Sequence, residues 1–224
     1  MNTMKIRRTR VKLVLFDIDG TLVAKPGSEL RFFHYLRERR LLGVQNYLSA
    51  GLFTLLCLPR YGHHVLRKNK AWLSGMNKAE IASHAEQFVS EELVQHLIGD
   101  SVRRLRSHRQ AGDCVVLLSG TPQFIADPLA RYLGAEFAVA ARCADDGNRF
   151  LARPPVRHPL GRSKITAARQ IAERCGLPLS QATAYGDSWS DSLLFGEVEQ
   201  SIAIRPDRRL RQLAQRKGWE IVVS

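Results

Sequence analysis

The sequence predicts an α/β fold: a parallel sheet core with an all-helical cap domain inserted after the first strand. Three observations support this prediction. Short apolar runs alternate with amphipathic helical patterns, acidic or hydroxyl side chains follow several of these runs, and about 80 residues after the first run lack a convincing strand. We predict a core domain at residues 1–23 and 110–224 and a cap domain at residues 24–109.

The first strand is predicted at residues 11–16, a run rich in Val and Leu that suits burial on both faces. The strand ends at Asp17, and Asp19 follows after one apolar residue. Ligands bind beyond the carboxyl ends of parallel strands, so we expect both carboxylates in the active site. Two acids at this spacing suit phosphoryl transfer, because one can attack phosphorus while the other moves protons. The plainer alternative is a strand that ends in a solvated Asp turn.

The composition is that of a globular, basic protein. Hydrophobic residues make up 45% of the chain, and 34 Lys and Arg against 21 Asp and Glu give a formal net charge of +13. This surplus favours acidic partners, which include phosphorylated metabolites, an anionic membrane surface and nucleic acid. The basic clusters contain no interleaved aromatic residues for base stacking, so we expect no dedicated nucleic-acid binding.

Cysteine usage and the N-terminus indicate a cytoplasmic protein. The four cysteines are far apart in the sequence, with no C-x-x-C pair and no zinc-ligand spacing, which fits a reducing compartment. Residues 1–10 resemble the charged part of an export signal, but the apolar run after them is short and ends in the acidic pair. We therefore reject a signal peptide.

Helical patterns fill the predicted cap. An amphipathic helix with a basic end is expected near residues 30–40, after a Pro and Gly break. Residues 41–58 form an apolar stretch of borderline length for crossing a bilayer; polar residues interrupt it, and we interpret it as a buried or interfacial helix. A further helix is expected at residues 60–73.

Capping signals delimit the next helices. Asn77 and Glu80 have the spacing of a capping box for a helix that ends at Val89, and Ser90 is a candidate cap for another helix. Residues 100–110 continue the helical pattern until a glycine ends it.

The core resumes with a buried strand at residues 114–118. Ser119 follows this strand, and Pro122 suits the start of a helix. The Ser119 hydroxyl and the backbone N–H groups of Gly120 and Thr121 then precede a helix N-terminus. This succession predicts an anion-binding site.

The remaining core alternates strands with helices. A strand is expected at residues 137–141, a turn at 145–148, and a proline-rich loop at 153–162 that leads to Lys164 on a helix. The motif YGDSWSD, which follows a short strand, carries Asp187 and Asp191. The last elements are a strand, a helix and a strand, expected at residues 201–204, 206–217 and 220–223.

These strand ends bring together complementary chemistry. Several carboxylates that converge on one point repel each other unless a cation lies among them. Oxygen ligands beside a phosphoryl substrate make Mg²⁺ the fitting ion. Lys164 adds a positive charge that can hold the substrate phosphate and offset the charge of the nucleophile.

The segments FDIDGTL, LLSGTP, Lys164 and YGDSWSD, in this order, resemble the four motifs of the haloacid dehalogenase-like phosphatases of subfamily IB. The resemblance covers residues 11–223 and implies a Rossmann-like core. LSGTP and AIRPDRRLRQLAQRKGW further resemble the branch that contains phosphoserine phosphatase. The resemblance implies that Asp17 is the nucleophile that forms an aspartyl-phosphate and that Asp19 is the general acid and base. It implies that Ser119 and Lys164 bind the phosphoryl group. It also implies that the Mg²⁺ ligands are Asp17, the backbone carbonyl of Asp19 and Asp187, and that Asp191 supports the metal shell.

The expected substrate is a small phosphorylated metabolite other than phosphoserine. Phosphoserine phosphatases carry a glutamate for the substrate amine shortly after the first motif, whereas Val23, Ala24 and Lys25 stand here. Histidinol phosphate and phosphoethanolamine remain open. Candidate substrate contacts are the cap histidines and three residues of the proline-rich loop, namely His34, His63, His64, His84, His96, Arg157, His158 and Arg162.

Two other functions remain open. The first is a lipid phosphate phosphatase peripheral to an anionic membrane, resembling relatives that act on phosphatidylglycerophosphate, because arginines flank the apolar stretch 41–58. The plainer alternative is that this stretch packs on its neighbours. The second is a non-enzymatic module that uses its basic surface to bind RNA or an acidic partner.

Overall fold

A computed structural model of the chain describes residues 12–62 and 65–223. It contains a six-stranded parallel sheet with the strand order β3-β2-β1-β4-β5-β6, which confirms the predicted Rossmann-like α/β fold. Residues 1–10, Val11, His63 and His64 lie outside the described residues. The strands are β1 (Leu13–Phe16), β2 (Cys114–Pro122), β3 (Phe137–Ala141), β4 (Thr183–Gly186), β5 (Gln200–Ile204) and β6 (Glu220–Val222).

The α-helices alternate with these strands, except for a block of five helices between β1 and β2. They are α1 (Ser28–Glu38), α2 (Val44–Tyr61), α3 (Val65–Lys68), α4 (Lys78–Glu91), α5 (Gly99–Ala111), α6 (Gln123–Leu133), α7 (Arg162–Cys175), α8 (Ser192–Phe195) and α9 (Arg208–Lys217). Short 3-10 turns lie at Ala71–Leu73, Leu93–His96, Leu179–Gln181 and Trp189–Asp191.

The central strand is apolar on both faces because helices cover both faces of the sheet. Val14 and Phe16 of β1 belong to one apolar cluster, which also contains side chains of α1, α4, α5 and α6. Leu13 and Leu15 point the other way, into a cluster with side chains of α7, α8 and α9. Burial on both faces explains the continuous apolar run in the sequence.

The strand order reverses between β1 and β4, so a crevice opens beyond the carboxyl ends of these two neighbours. Phe16 pairs with Tyr185 in the register of the two strands. Their rings stack with centroids 4.1 Å apart and an interplanar angle of 3°. This contact fixes the relative position of the two strand ends from which the acidic residues emerge.

One cap helix begins as predicted but runs further. The Asn77 side chain accepts hydrogen bonds from the backbone N–H groups of Ala79 and Glu80, at 2.8 and 3.3 Å, and so caps α4. The predicted end at Val89 and the cap at Ser90 are wrong. The Ser90 hydroxyl donates instead to backbone carbonyls one turn earlier, and Ser90 lies inside the helix.

The single helix predicted at residues 60–73 is also wrong. The described part of this segment contains the end of α2, the short α3 and a 3-10 turn. Asn69 accounts for the interruption: its side chain accepts from the backbone N–H of Ala71 at 3.0 Å and donates to the carbonyl of Ala50 at 2.8 Å. The chain is thereby turned back onto α2.

Helix α2 is only narrowly attached to the rest of the protein, so the expectation that it packs on its neighbours is wrong for most of its apolar residues. Asn46 and Phe53 are its buried residues. The exposed large apolar side chains of this helix are Val44, Tyr47, Leu48, Leu52, Leu55, Leu56 and Leu58. Among the described residues, no helix combines the length and the hydropathy required to cross a membrane.

Candidate active site

Three buried carboxylates meet at the crevice between β1 and β4. Asp17 directly follows β1, Asp187 directly follows β4, and Asp191 ends the 3-10 turn Trp189–Asp191. One oxygen from each carboxylate lies within 4.8 Å of the others. Such a set of convergent oxygen ligands fits a divalent cation of the Mg²⁺ type.

Two ammonium groups reach this cluster. Lys164, in the first turn of α7, places Nζ 2.7 Å from Oδ1 of Asp17 and 2.5 Å from Oδ1 of Asp191. Lys25 comes from the loop before α1, and its Nζ lies 2.7 Å from Oδ2 of Asp187. The Lys164 side chain is buried, whereas 66% of the Lys25 side chain is exposed. Lys164 is therefore a buried part of the cluster, and Lys25 is a solvent-exposed cation at its edge.

Burial makes the charged forms of these carboxylates costly. It raises the pKa of Asp17 from 3.8 to about 7, against the opposing effect of Lys164, and it raises the pKa of Asp187 to about 6. Burial alone would lower the pKa of Lys164, but Asp17 and Asp191 outweigh it and raise that pKa. An additional cation would relieve the remaining repulsion between the acids, which is the electrostatic condition that a metal site requires.

Asp19 faces the same cavity but is held apart from the cluster. Its carboxylate accepts hydrogen bonds from the backbone N–H of Ser28 at 2.6 Å and from the Thr121 hydroxyl at 2.8 Å. A Cβ atom on Gly27 would lie 2.9 Å from the Asp19 carboxyl carbon, so this close approach requires glycine. The start of α1 and the end of β2 thus position Asp19 together.

The predicted anion-binding site lies on the same cavity wall. Ser119, Gly120 and Thr121 line it, although β2 extends through Pro122 rather than ending at Leu118. A Cβ atom on Gly120 would lie 3.2 Å from Nε2 of His158, so the proline-rich loop closely covers this glycine.

The cavity has a volume of about 260 Å³, and all but one of the residues predicted to act in catalysis, phosphate binding or metal binding lie on its wall. Asp191 does not line the cavity, but it accepts a hydrogen bond from Lys164, which does. The predicted residues on its wall are Asp17, Asp19, Ser119, Gly120, Lys164 and Asp187. Of the proposed substrate contacts, His158 lies on the wall, whereas Arg157 donates to the Ala140 carbonyl and the Gln123 side chain. The other described candidates do not line this cavity, namely His34, His84, His96 and Arg162.

The sequence reasoning missed four charged lining residues as site residues: Lys25, Glu29, Arg67 and Lys70. Lys70 is buried and forms an ion pair with Glu29, which also accepts a hydrogen bond from the Trp72 indole at 3.3 Å. Burial, followed by the charges of Lys70, Lys68 and Arg67, lowers the pKa of His158 to about 3. His158 is therefore neutral at pH 7. No local motif marks these four residues, because only folding brings the segments between β1 and β2 to the cavity.

We expect Mg²⁺ to raise the melting temperature more at pH 8 than at pH 5. The folded-state pKa values of Asp17 and Asp187 lie above the ordinary value of 3.8. Between about pH 4 and 7 the folded, metal-free protein therefore holds more protons than the unfolded chain, and its stability falls as the pH rises through this window. Mg²⁺ bound to the ionised carboxylates would offset this loss.

The measurement is thermal unfolding in EDTA and in Mg²⁺ at both pH values. Asp187→Asn is the control, since it should abolish most of the Mg²⁺-dependent shift. A shift that is equally large at both pH values would contradict the assignment of the titrating groups.

Comparison with known proteins identifies the family. A family model described as haloacid dehalogenase-like hydrolase matches residues 14–195. The chain is 34% identical over 214 residues to "Phosphoserine phosphatase SerB1" of Mycobacterium tuberculosis, covering 92% of this chain and 68% of the relative. It is 26% identical over 223 residues to "Histidinol-phosphatase" of Neisseria meningitidis, covering 94% of this chain and 97% of that relative.

Solved structures share the fold. A protein of unknown function from Bordetella pertussis Tohama I superposes with a TM-score of 0.79 at 26% identity, covering 96% of this chain and 99% of the other. The structure described as a phospho-aspartyl intermediate analogue of phosphoserine phosphatase gives a TM-score of 0.61 at 18% identity, covering 96% and 94%. The family match spans most of the chain, as the four motifs indicate, and the chain belongs to the haloacid dehalogenase-like hydrolase family, in its phosphoserine phosphatase-like branch.

Proposed function

We propose that this haloacid dehalogenase-like phosphatase is a Mg²⁺-dependent phosphomonoesterase that acts on a small phosphorylated metabolite through an aspartyl-phosphate at Asp17. One observation carries the proposal: Asp17, Asp187 and Lys164 belong to three distant segments and converge in one cavity, with Asp19 opposite them. A nucleophile, a proton carrier and a cationic phosphate ligand are what the reaction requires.

In the proposed first step, a carboxylate oxygen of Asp17 attacks phosphorus and the bond from phosphorus to the ester oxygen breaks. Asp19 donates a proton to the departing oxygen. The hydrogen bond from Lys164 to Oδ1 of Asp17 fixes the orientation of the nucleophile. The contacts of Asp19 with Ser28 and Thr121 hold its carboxyl group toward the cavity, where the leaving group must be protonated.

In the second step, Asp19 removes a proton from water, the water oxygen attacks the phosphorus of the aspartyl-phosphate, and the bond between phosphorus and the Asp17 oxygen breaks. Inorganic phosphate and the free Asp17 carboxylate result. Ser119, the backbone N–H of Gly120 and Lys164 are the proposed phosphoryl ligands. When bound by Asp17, Asp187 and the Asp19 carbonyl, with Asp191 in support, Mg²⁺ supplies charge neutralisation and polarises the phosphoryl oxygens.

The proposed cap, residues 24–109, sets the substrate preference. It contributes Lys25, Glu29, Arg67 and Lys70 to the cavity wall. Glu29 is already engaged by Lys70 and Trp72, so it is a poor ligand for a substrate amine, whereas Lys25 and Arg67 suit a leaving group with an anionic or polar substituent. The cavity volume of about 260 Å³ fits a small ester. The four cysteines, which are far apart in the sequence and have no zinc-ligand spacing, are in keeping with a cytoplasmic location.

Hydrolysis of a lipid phosphate is a second candidate, favoured by the exposed apolar side chains of α2. The same small cavity would then receive a head group rather than a whole metabolite. A non-enzymatic binding module is the third, and it requires no turnover at all.

Purified protein assayed with p-nitrophenyl phosphate is expected to release phosphate in Mg²⁺, to stop in EDTA and to recover when Mg²⁺ is restored. Phosphoserine, histidinol phosphate, phosphoethanolamine and phosphatidylglycerophosphate in the same assay separate the substrate classes. Absence of turnover on every substrate contradicts the proposed function, and tight RNA binding without turnover would favour the binding module.

A further inference from the structure

Helix α2 exposes an apolar surface that the fold leaves without a partner among the described residues. We define the α2 surface as its exposed large apolar side chains together with one from α3: Val44, Tyr47, Leu48, Leu52, Leu55, Leu56, Leu58 and Leu66. Each is between 44% and 75% exposed. Among the exposed residues of α2, only Gln45 and Arg60 have a polar or charged side chain apart from the Tyr47 hydroxyl.

The contacts that attach α2 to the rest of the protein explain why its leucines are exposed. Asn46 donates to the carbonyl of Trp72 at 2.9 Å, and Phe53 packs in a small cluster with Val65 and Ala71. These contacts hold one narrow side of the helix and turn the leucines outward. A surface helix in water normally has the opposite pattern, with the apolar side inward. Exposed apolar patches of this kind mark an interaction surface.

Charge identifies the partner. Residues 39–79 contain no Asp or Glu. Arg39, Lys70 and Lys78 are engaged by acidic side chains of other segments. The other basic residues of this segment that carry the argument are Arg40, Arg60, Arg67 and Lys68. Exposed Arg40 and Arg60 flank the two ends of α2. Pairing with a second copy of the chain would bring two acid-free, basic surfaces together, which like-charge repulsion opposes. A surface of anionic lipid complements both the leucines and the arginines.

We therefore propose that α2 docks the protein on an anionic lipid surface. Its leucines enter the boundary between head groups and acyl chains, and the flanking arginines lie among the lipid phosphates. The inference concerns binding alone and does not depend on the reaction proposed above.

The proposed docking surface adjoins the entrance of the catalytic cavity. A wider cavity of about 750 Å³ is lined by Arg60 and Tyr61 at the end of α2, and it shares Arg67 and His158 with the catalytic cavity. The exposed Trp189 also lines this entrance. Tryptophan is favoured at lipid–water interfaces. Docking through α2 would therefore place the entrance next to the lipid surface.

The test is sedimentation of the full chain with vesicles of phosphatidylcholine, with and without about one third phosphatidylglycerol. We expect binding to the anionic vesicles, weak binding to phosphatidylcholine alone, and release at high salt. The double variant Leu52→Glu/Leu55→Glu should reduce the partition coefficient at least about tenfold, because it removes apolar contact and adds repulsion.

The matched control is Tyr132→Glu, which changes an exposed apolar residue of α6 outside the α2 surface and should bind like the unchanged protein. Both variants should keep their melting temperatures and their turnover of p-nitrophenyl phosphate. Protein that stays in the supernatant, equal binding to both vesicle types, or full binding by the double variant overturns the proposal. A dimer that the double variant dissociates, without vesicle binding, would assign the surface to a second copy instead.

Discussion

Asp17→Asn is expected to lower kcat for p-nitrophenyl phosphate at least about 1000-fold, because the amide cannot attack phosphorus or form an aspartyl-phosphate. The variant should fold, and its melting temperature in EDTA should rise at pH 8. Burial and the acidic neighbours oppose the ionised form of Asp17, as its pKa of about 7 indicates, and the amide carries no charge. Activity and thermal unfolding are measured on the same preparation.

Asp113→Asn is a suitable control for this variant. Asp113 is 7% exposed and Asp17 is 8% exposed, so the two carboxylates are similarly buried. Asp113 bonds to His108 at 2.7 Å and does not line the catalytic cavity. Its loss should affect stability more than turnover. An Asp17→Asn variant that retains more than about a tenth of the activity would contradict nucleophilic catalysis by Asp17.

Lys164→Met should impair both turnover and folding stability. We expect kcat to fall about 100-fold to 1000-fold, since a cation that binds the phosphoryl group is lost. The metal-free variant should also lose about 3–5 kcal/mol of unfolding free energy, because buried Asp17 and Asp191 lose their shared partner. Mg²⁺ should restore part of the stability but little of the activity. Chemical denaturation in EDTA and in Mg²⁺ measures the unfolding free energy.

Lys78→Met provides the matched comparison for Lys164→Met. Lys78 also forms an ion pair, with Asp145 at 2.7 Å, but 36% of its side chain is exposed. Water and salt screen such a pair, so we expect a loss below about 1 kcal/mol. If the two variants were equally stable, Lys164 would not hold the buried acids together.

The fold and the carboxylate positions could be predicted because they depend on local patterns. A run such as residues 13–16 can be buried on both faces only in a covered parallel sheet, and the acids that follow it must lie at the carboxyl end. The same reasoning placed Asp187 after β4. These features are encoded within a few residues, and the order of strands then brings them together.

The outer wall of the cavity and the environment of α2 could not be predicted. Glu29 and Lys70 meet across 41 positions, and no helical or strand periodicity encodes such a pair. Apolar periodicity also shows that a stretch avoids water, but not what covers it. Residues 41–58 were therefore compatible with an exposed helix as well as with the packed helix that we favoured from the sequence. The structure exposes most of the apolar side chains and attaches the helix through Asn46 and Phe53.

The ammonium groups of Lys25 and Lys164 also have a consequence for the newly synthesised chain. Both groups belong to the polypeptide, and their positive charges lie beside the acids. They therefore compensate part of the negative charge that a divalent ion would otherwise neutralise. A small zinc domain is unfolded without its metal, whereas we expect this protein to fold before any metal binds. If the proposed Mg²⁺ dependence holds, chelation should therefore abolish activity reversibly while the protein stays folded.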